Sequence, residues 1–150
     1  MRQDDTNEFE YYVADDKYTL IPDGEYWAIC TDYKEQDYFI KGQGKKRKLY
    51  MCFDIYAEAN SLDDMSEKIW MIFNMPKNRH FGKRSKYYQT WKMVWGRTPT
   101  RNARISPKIF LNRHFKIKTK TVKKYYDGEI RPEGERYSII DEILMALPKT

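Results

Sequence analysis

The sequence predicts an all-β fold, a five-stranded β-barrel with one helix between strands three and four. Apolar residues alternate with a period of two in five segments, which is typical of strands, whereas one segment follows the three-to-four spacing of a helix. A chain of 150 residues with 41% hydrophobic and 16% aromatic residues supports one domain with a buried core.

The folded domain is predicted to begin after an acidic arm. Residues 1–16 carry six carboxylates and few aliphatic side chains, so we interpret them as a flexible arm and residues 17–150 as the domain. Pro22, Asp23 and Gly24 then form a turn.

Three strands follow this turn. Strand one is predicted from Glu25 to about Phe39, a length that requires a bend, and the segment Lys41–Lys48 (KGQGKKRK) is predicted as a basic loop. The odd-numbered positions of residues 49–55 and 69–73 are all apolar, which predicts strands two and three with one face toward the core.

The period changes after residue 85. Ser85 is a good N-cap and Gly96 a good C-terminal stop for a helix of about eleven residues. Its aromatic residues Tyr88, Trp91 and Trp95 recur at helical spacing, so we expect them to pack against the end of the barrel.

A helical turn and two strands complete the domain. The cap-then-proline pattern of Ser106–Phe110 predicts a single turn. Residues 115–121 alternate lysines with apolar residues or threonine and form strand four. After the loop Lys123–Arg136, strand five is predicted from Tyr137 to about Leu144.

Three strands, a helix and two strands is the element order of the OB-fold, a five-stranded, partly open barrel. In OB-folds the ligand lies across strands two and three, between the loop that joins strands one and two and the loop that joins strands four and five. The corresponding loops here, Lys41–Lys48 and Lys123–Arg136, are both basic. Their charge strengthens the OB-fold prediction.

The net charge of +6 conceals a strong asymmetry along the chain. Residues 1–37 hold 11 carboxylates, whereas residues 68–126 hold 17 Lys or Arg and no Asp or Glu. Because like charges repel, so long a cationic stretch favours a polyanionic partner. Nucleic acid is the leading candidate. An anionic membrane surface is the minor one, because the sequence shows no basic amphipathic helix with a clean apolar face.

Binding of single-stranded nucleic acid requires cations for phosphates and flat side chains for unstacked bases. If the apolar positions of strand two fill the barrel, the opposite parity places Tyr50 and Tyr56 outside, and Trp70 outside on strand three. On strand one the small residues Ala28 and Cys30 suit the barrel interior, so Trp27 and Tyr33 are predicted to point outward. Packing against the arm or a second subunit is the alternative for each of these rings.

The three lysines of strand four share one face, where their mutual repulsion would be relieved by phosphates. An edge strand protected by lysines is the alternative. The predicted nucleic-acid-binding residues are Trp27, Lys45, Lys46, Arg47, Lys48, Tyr50, Tyr56, Trp70, Lys116, Lys118, Lys120, Lys123, Lys124 and Tyr125.

Catalytic and metal-binding interpretations find little support. The cationic stretch offers no carboxylates to hold a metal, and His80 and His114 have no nearby Asp, Ser or Cys in a triad-like arrangement. No P-loop or GxGxxG occurs. We therefore expect a non-enzymatic protein with no cofactor and no metal.

Cys30 and Cys52 are predicted to be buried free thiols. Because no membrane span or secretion leader is visible, we expect a cytoplasmic protein.

Four short motifs carry a resemblance. They are GEY at Gly24–Tyr26, SKYYQTW at the start of Ser85–Gly96, SPKIF at Ser106–Phe110 and YSIID at Tyr137–Asp141. Over about two thirds of its length the chain resembles a loosely defined group of uncharacterised phage and plasmid proteins. These look like OB-fold single-stranded DNA-binding proteins of mobile elements. The acidic segment here is N-terminal, unlike the acidic C-terminal tip of familiar bacterial single-strand-binding proteins.

We therefore expect a protein that binds single-stranded nucleic acid, DNA rather than RNA, in replication, recombination or transfer of a mobile element. One alternative is a phage-encoded interaction module or inhibitor of a host nucleic-acid enzyme, and RNA binding is another. The acidic arm is a candidate contact for a protein partner, and an oligomer is compatible with the sequence.

Overall fold

Five antiparallel strands form one sheet in the computed structural model, which describes residues 19–61, 63–76, 82–100, 103–125 and 127–148. The strands are β1 (Glu25–Ile40), β2 (Gly44–Glu58), β3 (Asp64–Met75), β4 (His114–Val122) and β5 (Tyr137–Ala146). The predicted arm of residues 1–16 and His80 lie outside the described residues.

The strand order is β3-β2-β1-β4-β5, which makes β3 and β5 the two edges of the sheet. These edges approach each other in space but do not join the hydrogen-bonded ladder, so the sheet is not closed. In the described part of the chain, one α-helix, α1 (Lys86–Trp95), lies between β3 and β4. The predicted β-rich class and element order are therefore confirmed, whereas closure into a barrel is not.

A bulge in β1 decides which side chains face the core. Before the bulge, Tyr26, Ala28 and Cys30 are buried. The register with β2 shifts between Cys30 and Asp32, and the extra residue reverses the parity of the strand. Tyr33 is therefore packed against the core, paired with buried Met51, and its predicted outward orientation is wrong.

A tight hairpin joins β1 to β2, and the predicted basic loop over Lys41–Lys48 is wrong. Gly42 and Gly44 take φ values of 84° and 82°, a left-handed conformation that glycine adopts without strain. Pairing resumes at Gly44 and continues through Lys48, so the basic residues form part of strand β2. Consecutive side chains in this segment therefore lie on opposite faces of the sheet.

The core lies on one face of the sheet and is covered by α1. The predicted helix is confirmed: the Ser85 hydroxyl accepts a hydrogen bond from the Tyr88 amide at 3.1 Å, and Gly96 ends the helix with a φ of 91°. The buried stripe differs from the prediction. Its members are Tyr87, Trp91 and Val94, whereas Tyr88 is half-buried and Trp95 is 44% exposed.

The chain entering β1 is tied to the far side of the sheet. The buried Ser138 hydroxyl on β5 accepts a hydrogen bond from the Ile21 amide at 3.0 Å and donates one to the Ile21 carbonyl at 3.1 Å. Buried Thr119 on β4 accepts a hydrogen bond from the Gly24 amide at 3.2 Å. These contacts position the start of β1 between β2 and β4.

We expect Ser138→Ala to lower the free energy of unfolding by about 1–3 kcal/mol, because it leaves the buried amide and carbonyl of Ile21 without their side-chain partner. Urea unfolding measures the loss. Ser66→Ala, which removes an exposed hydroxyl on β3, serves as the control and should change stability little. Equal stability of the two variants would contradict this account.

Candidate nucleic-acid interface

The outer face of the β1–β3 sheet, opposite the core, carries aromatic rings and lysines in contact. Tyr50 on β2 pairs with Lys34 on β1 and with Ile72 on β3. Its ring meets Trp70 edge to face, with 6.2 Å between ring centroids. The ammonium nitrogen of Lys34 lies 5.7 Å from the Trp70 ring centroid, a cation–π distance.

The same face continues toward the β1–β2 hairpin. Tyr38 pairs with Lys46, and the ammonium nitrogen of Lys48 lies 4.9 Å from the Tyr38 ring centroid. Trp70 on β3 pairs with Cys52 of β2, which lies six residues beyond Lys46 in the same strand. Tyr38 and Trp70 are therefore about 20 Å apart along the strand direction. We call this set of residues the outer strip: Lys34, Tyr38, Lys46, Lys48, Tyr50 and Trp70.

Tyr50 lies on the predicted face but is only 6% exposed, so it offers no free ring surface to a base. Burial raises the pKa of its hydroxyl to about 12, and the nearby Tyr38 and Tyr137 hydroxyls add to the shift. Tyr50 therefore contacts Trp70 edge to face from a buried position. Trp70, 40% exposed, is the accessible ring at this point of the strip.

Strand parity divides the four basic residues that follow Gly44. Lys46 and Lys48 lie on the outer face with Tyr38, as described above. Lys45 and Arg47 lie on the opposite face, where both contact Asp37, at 3.2 Å and 2.9 Å. The Arg47 guanidinium and the Lys45 ammonium lower the pKa of Asp37. Lys45 and Arg47, predicted as ligand contacts, are thus engaged within the hairpin.

Beyond Trp70 the outer face becomes more balanced in charge. Lys68 is paired with Asp54 at 2.9 Å. The Tyr56 hydroxyl hydrogen-bonds His114 Nδ1 at 2.9 Å, and the two rings meet edge to face. Trp27 is half-buried and pairs with Lys116 on β4. Tyr56 and Trp27 therefore lie on the predicted face, at the opposite end from the hairpin.

The lysines of β4 are not the uncompensated row that the sequence suggested. Lys116 pairs with Glu25 at 3.2 Å and Lys120 with Asp141 at 3.2 Å. Within the part of the chain that the structure describes, Lys118 alone of the three has no ion pair. Carboxylates from β1 and β5 neutralise two of the three charges, so the repulsion among these lysines is relieved without phosphates.

The β4–β5 loop contacts Tyr137, the first residue of β5, through Arg131. The Arg131 guanidinium lies 4.5 Å from the Tyr125 ring centroid and 5.1 Å from that of Tyr137, and Tyr137 is close enough to Tyr50 to influence its pKa. The Tyr125 hydroxyl donates a hydrogen bond to the carboxylate of Glu135. Lys123 and Lys124 are exposed.

Sequence reasoning missed three residues of this region. Lys34 and Tyr38 lie on the outer strip only because the bulge after Cys30 changes the parity of β1. Phe39, 75% exposed, lies on the opposite face of the hairpin, paired with Lys45. A polar Asp32 interrupting the apolar alternation was the one sequence signal of the bulge.

The described residues contain no cluster of three or more His, Cys, Asp or Glu side chains able to hold a metal. Cys30 and Cys52 are free and buried, as predicted, and burial raises the pKa of both thiols, to about 12 for Cys30. Among the described helices, none has the length and apolar character to cross a bilayer.

No protein-family model, curated protein or solved structure matches this chain.

Tyr50 makes stability depend on pH in the alkaline range. Its folded-state pKa of about 12 exceeds the ordinary value of 10.0, so the protonated form is favoured by folding. That contribution is complete below about pH 10 and is lost as pH rises toward 12. We expect Tyr50→Phe to lose stability less steeply than the unmodified protein in urea unfolding between these values. Parallel losses would contradict the assignment.

Proposed function

We propose that this protein binds single-stranded nucleic acid along the outer strip, with DNA as the first candidate, and that it does so without catalysing a reaction. The observation that carries the proposal is an exposed indole, Trp70, held by Tyr50 and Lys34 on a face that continues to Tyr38 and Lys48. Rings for bases beside cations for phosphates are what a single strand requires.

The topology supports an open OB-type arrangement. β1 pairs with both β2 and β4, the edges β3 and β5 approach each other, and α1 lies between β3 and β4 in the chain. OB-folds bind oligonucleotides on the face of strands two and three. The outer strip lies on β1, β2 and β3. Tyr137 at the start of β5 lies near Tyr50 and is contacted by Arg131 of the β4–β5 loop. The position of the strip therefore agrees with this mode of binding.

The setting and the role in the cell extend this proposal. Two buried free thiols fit a reducing compartment, and we propose the cytoplasm. Replication, recombination or transfer of a mobile element remains the proposed process, on the resemblance described above.

We expect Trp70→Ala to weaken binding of an oligo-dT by about 1–3 kcal/mol, because one base loses its stacking surface, while the salt dependence stays nearly unchanged. Fluorescence anisotropy of a labelled oligonucleotide measures both quantities. Met93→Ala, which removes an exposed apolar side chain from α1, is the control. Equal affinities of the two variants would contradict the proposal, and tighter binding of oligo-rU would replace DNA by RNA.

Two double variants of the same hairpin separate a specific surface from mere positive charge. Lys46→Ala with Lys48→Ala removes the outer-face cations, and Lys45→Ala with Arg47→Ala removes two charges from the opposite face. We expect the first pair to reduce the log–log salt slope by up to about 1.4, since each phosphate contact contributes about 0.7. The second pair should leave the slope nearly unchanged. Equal reductions would indicate binding by net charge alone.

A further inference from the structure

A second aromatic and cationic site lies at the C-terminal end of α1, on residues that the outer strip does not use. A cleft of about 480 Å³ opens between the end of the helix and residues 97–100 and 103–109. This volume is within the range of small-molecule sites, about 300–1,000 Å³. Trp95, 44% exposed, lines it and is stacked on Trp91 with 5.3 Å between ring centroids and 28° between planes.

The wall of the cleft is fixed by hydrogen bonds to buried rings. The Trp91 indole donates a hydrogen bond to the Ser106 carbonyl at 2.9 Å, and the Tyr87 hydroxyl donates one to the Ile105 carbonyl at 2.5 Å. Because Tyr87 and Trp91 are both in the core stripe of α1, these bonds anchor residues 105 and 106 to the helix. The exposed Trp95 ring therefore stacks on an indole that is both buried and hydrogen-bonded.

The charges that line the cleft are all positive. Arg97 and Arg104 both line it, and the described lining residues include no carboxylate. The Arg97 guanidinium lies 5.2 Å from the Trp95 ring centroid. Guanidinium groups bind phosphate through paired N–H donors, and bases stack on both indole and guanidinium planes. An anionic group attached to a flat ring satisfies both features at once.

We propose that this cleft binds a nucleotide, with its base against Trp95 and its phosphate held by Arg97 and Arg104. Two sources share this chemistry: a free nucleotide, and the 5′-phosphorylated end of a nucleic-acid strand. The cleft shares no lining residue with the outer strip, so variants of one site leave the residues of the other unchanged and the two proposals can be tested separately.

The test is equilibrium dialysis of the full chain against labelled dAMP, with inorganic phosphate and tripolyphosphate as competitors. We expect Trp95→Ala, and separately Arg97→Ala with Arg104→Ala, each to weaken dAMP binding at least about tenfold. Lys83→Ala with Arg84→Ala removes the same charge before α1, outside the cleft, and should leave dAMP binding unchanged. Melting temperatures check that each variant is folded. Trp95→Phe keeps an aromatic ring and should therefore retain most of the dAMP affinity, which gives a second test of stacking if Trp95→Ala is unstable.

A second arm identifies the source. The affinity ratio of 5′-phosphorylated to 5′-hydroxyl oligo-dT isolates the terminal phosphate from binding on the outer strip. A ratio well above one that falls to one in Arg97→Ala with Arg104→Ala assigns the cleft to strand ends, and a ratio of one together with dAMP binding assigns it to free nucleotides. Absence of dAMP binding, dAMP affinity unaffected by loss of Trp95, or equal dAMP affinity in the cleft and Lys83/Arg84 variants would overturn the proposal. An unchanged Trp70→Ala result in the oligo-dT assay would contradict only the strand-binding proposal.

Discussion

The composition of the two faces of this sheet depends on the bulge after Cys30, which reverses the alternation of side chains along β1. The apolar positions of β2 fix one face against the core, and pairing then assigns every β1 residue to one face or the other. Without the extra residue, Tyr33 would face outward and Lys34 and Tyr38 would be directed toward the core side. The bulge therefore assembles the lysine and tyrosine of β1 with Trp70 on β3.

The charge distribution follows from the same pairing. The long stretch without carboxylates does not form a uniformly positive surface in the folded chain. Carboxylates from outside that stretch, those of Glu25, Asp54 and Asp141, form ion pairs with its lysines on neighbouring strands. Such exposed pairs contribute little to stability, but they remove charge from the β4 end of the sheet. Of the four basic residues that follow Gly44, all within the part of the chain that the structure describes, Lys46 and Lys48 form no ion pair, and they lie near the hairpin, where the outer strip begins.

Much of the fold follows from local signals, and most of the site does not. The alternation of β2, the caps at Ser85 and Gly96, and the lysine face of β4 are periodic or short-range, so the elements could be predicted within a few residues. The bulge, the hairpin at Gly42 and the burial of Tyr50 depend on which strands pair and how they are covered. Orientation predicted from an unbroken period was therefore right for Trp70 and wrong for Tyr33.

The central claim is that single-stranded nucleic acid lies on the outer strip, and photocrosslinking tests it most directly. Oligo-dT carrying a photoreactive iodouracil is bound to the full chain, irradiated and digested, and the crosslinked residues are identified by mass spectrometry. The account predicts crosslinks at Trp70 and Tyr38, the accessible rings of the strip. Crosslinks confined to Phe39 and the opposite face of the hairpin, or none at a concentration that saturates binding, would contradict it.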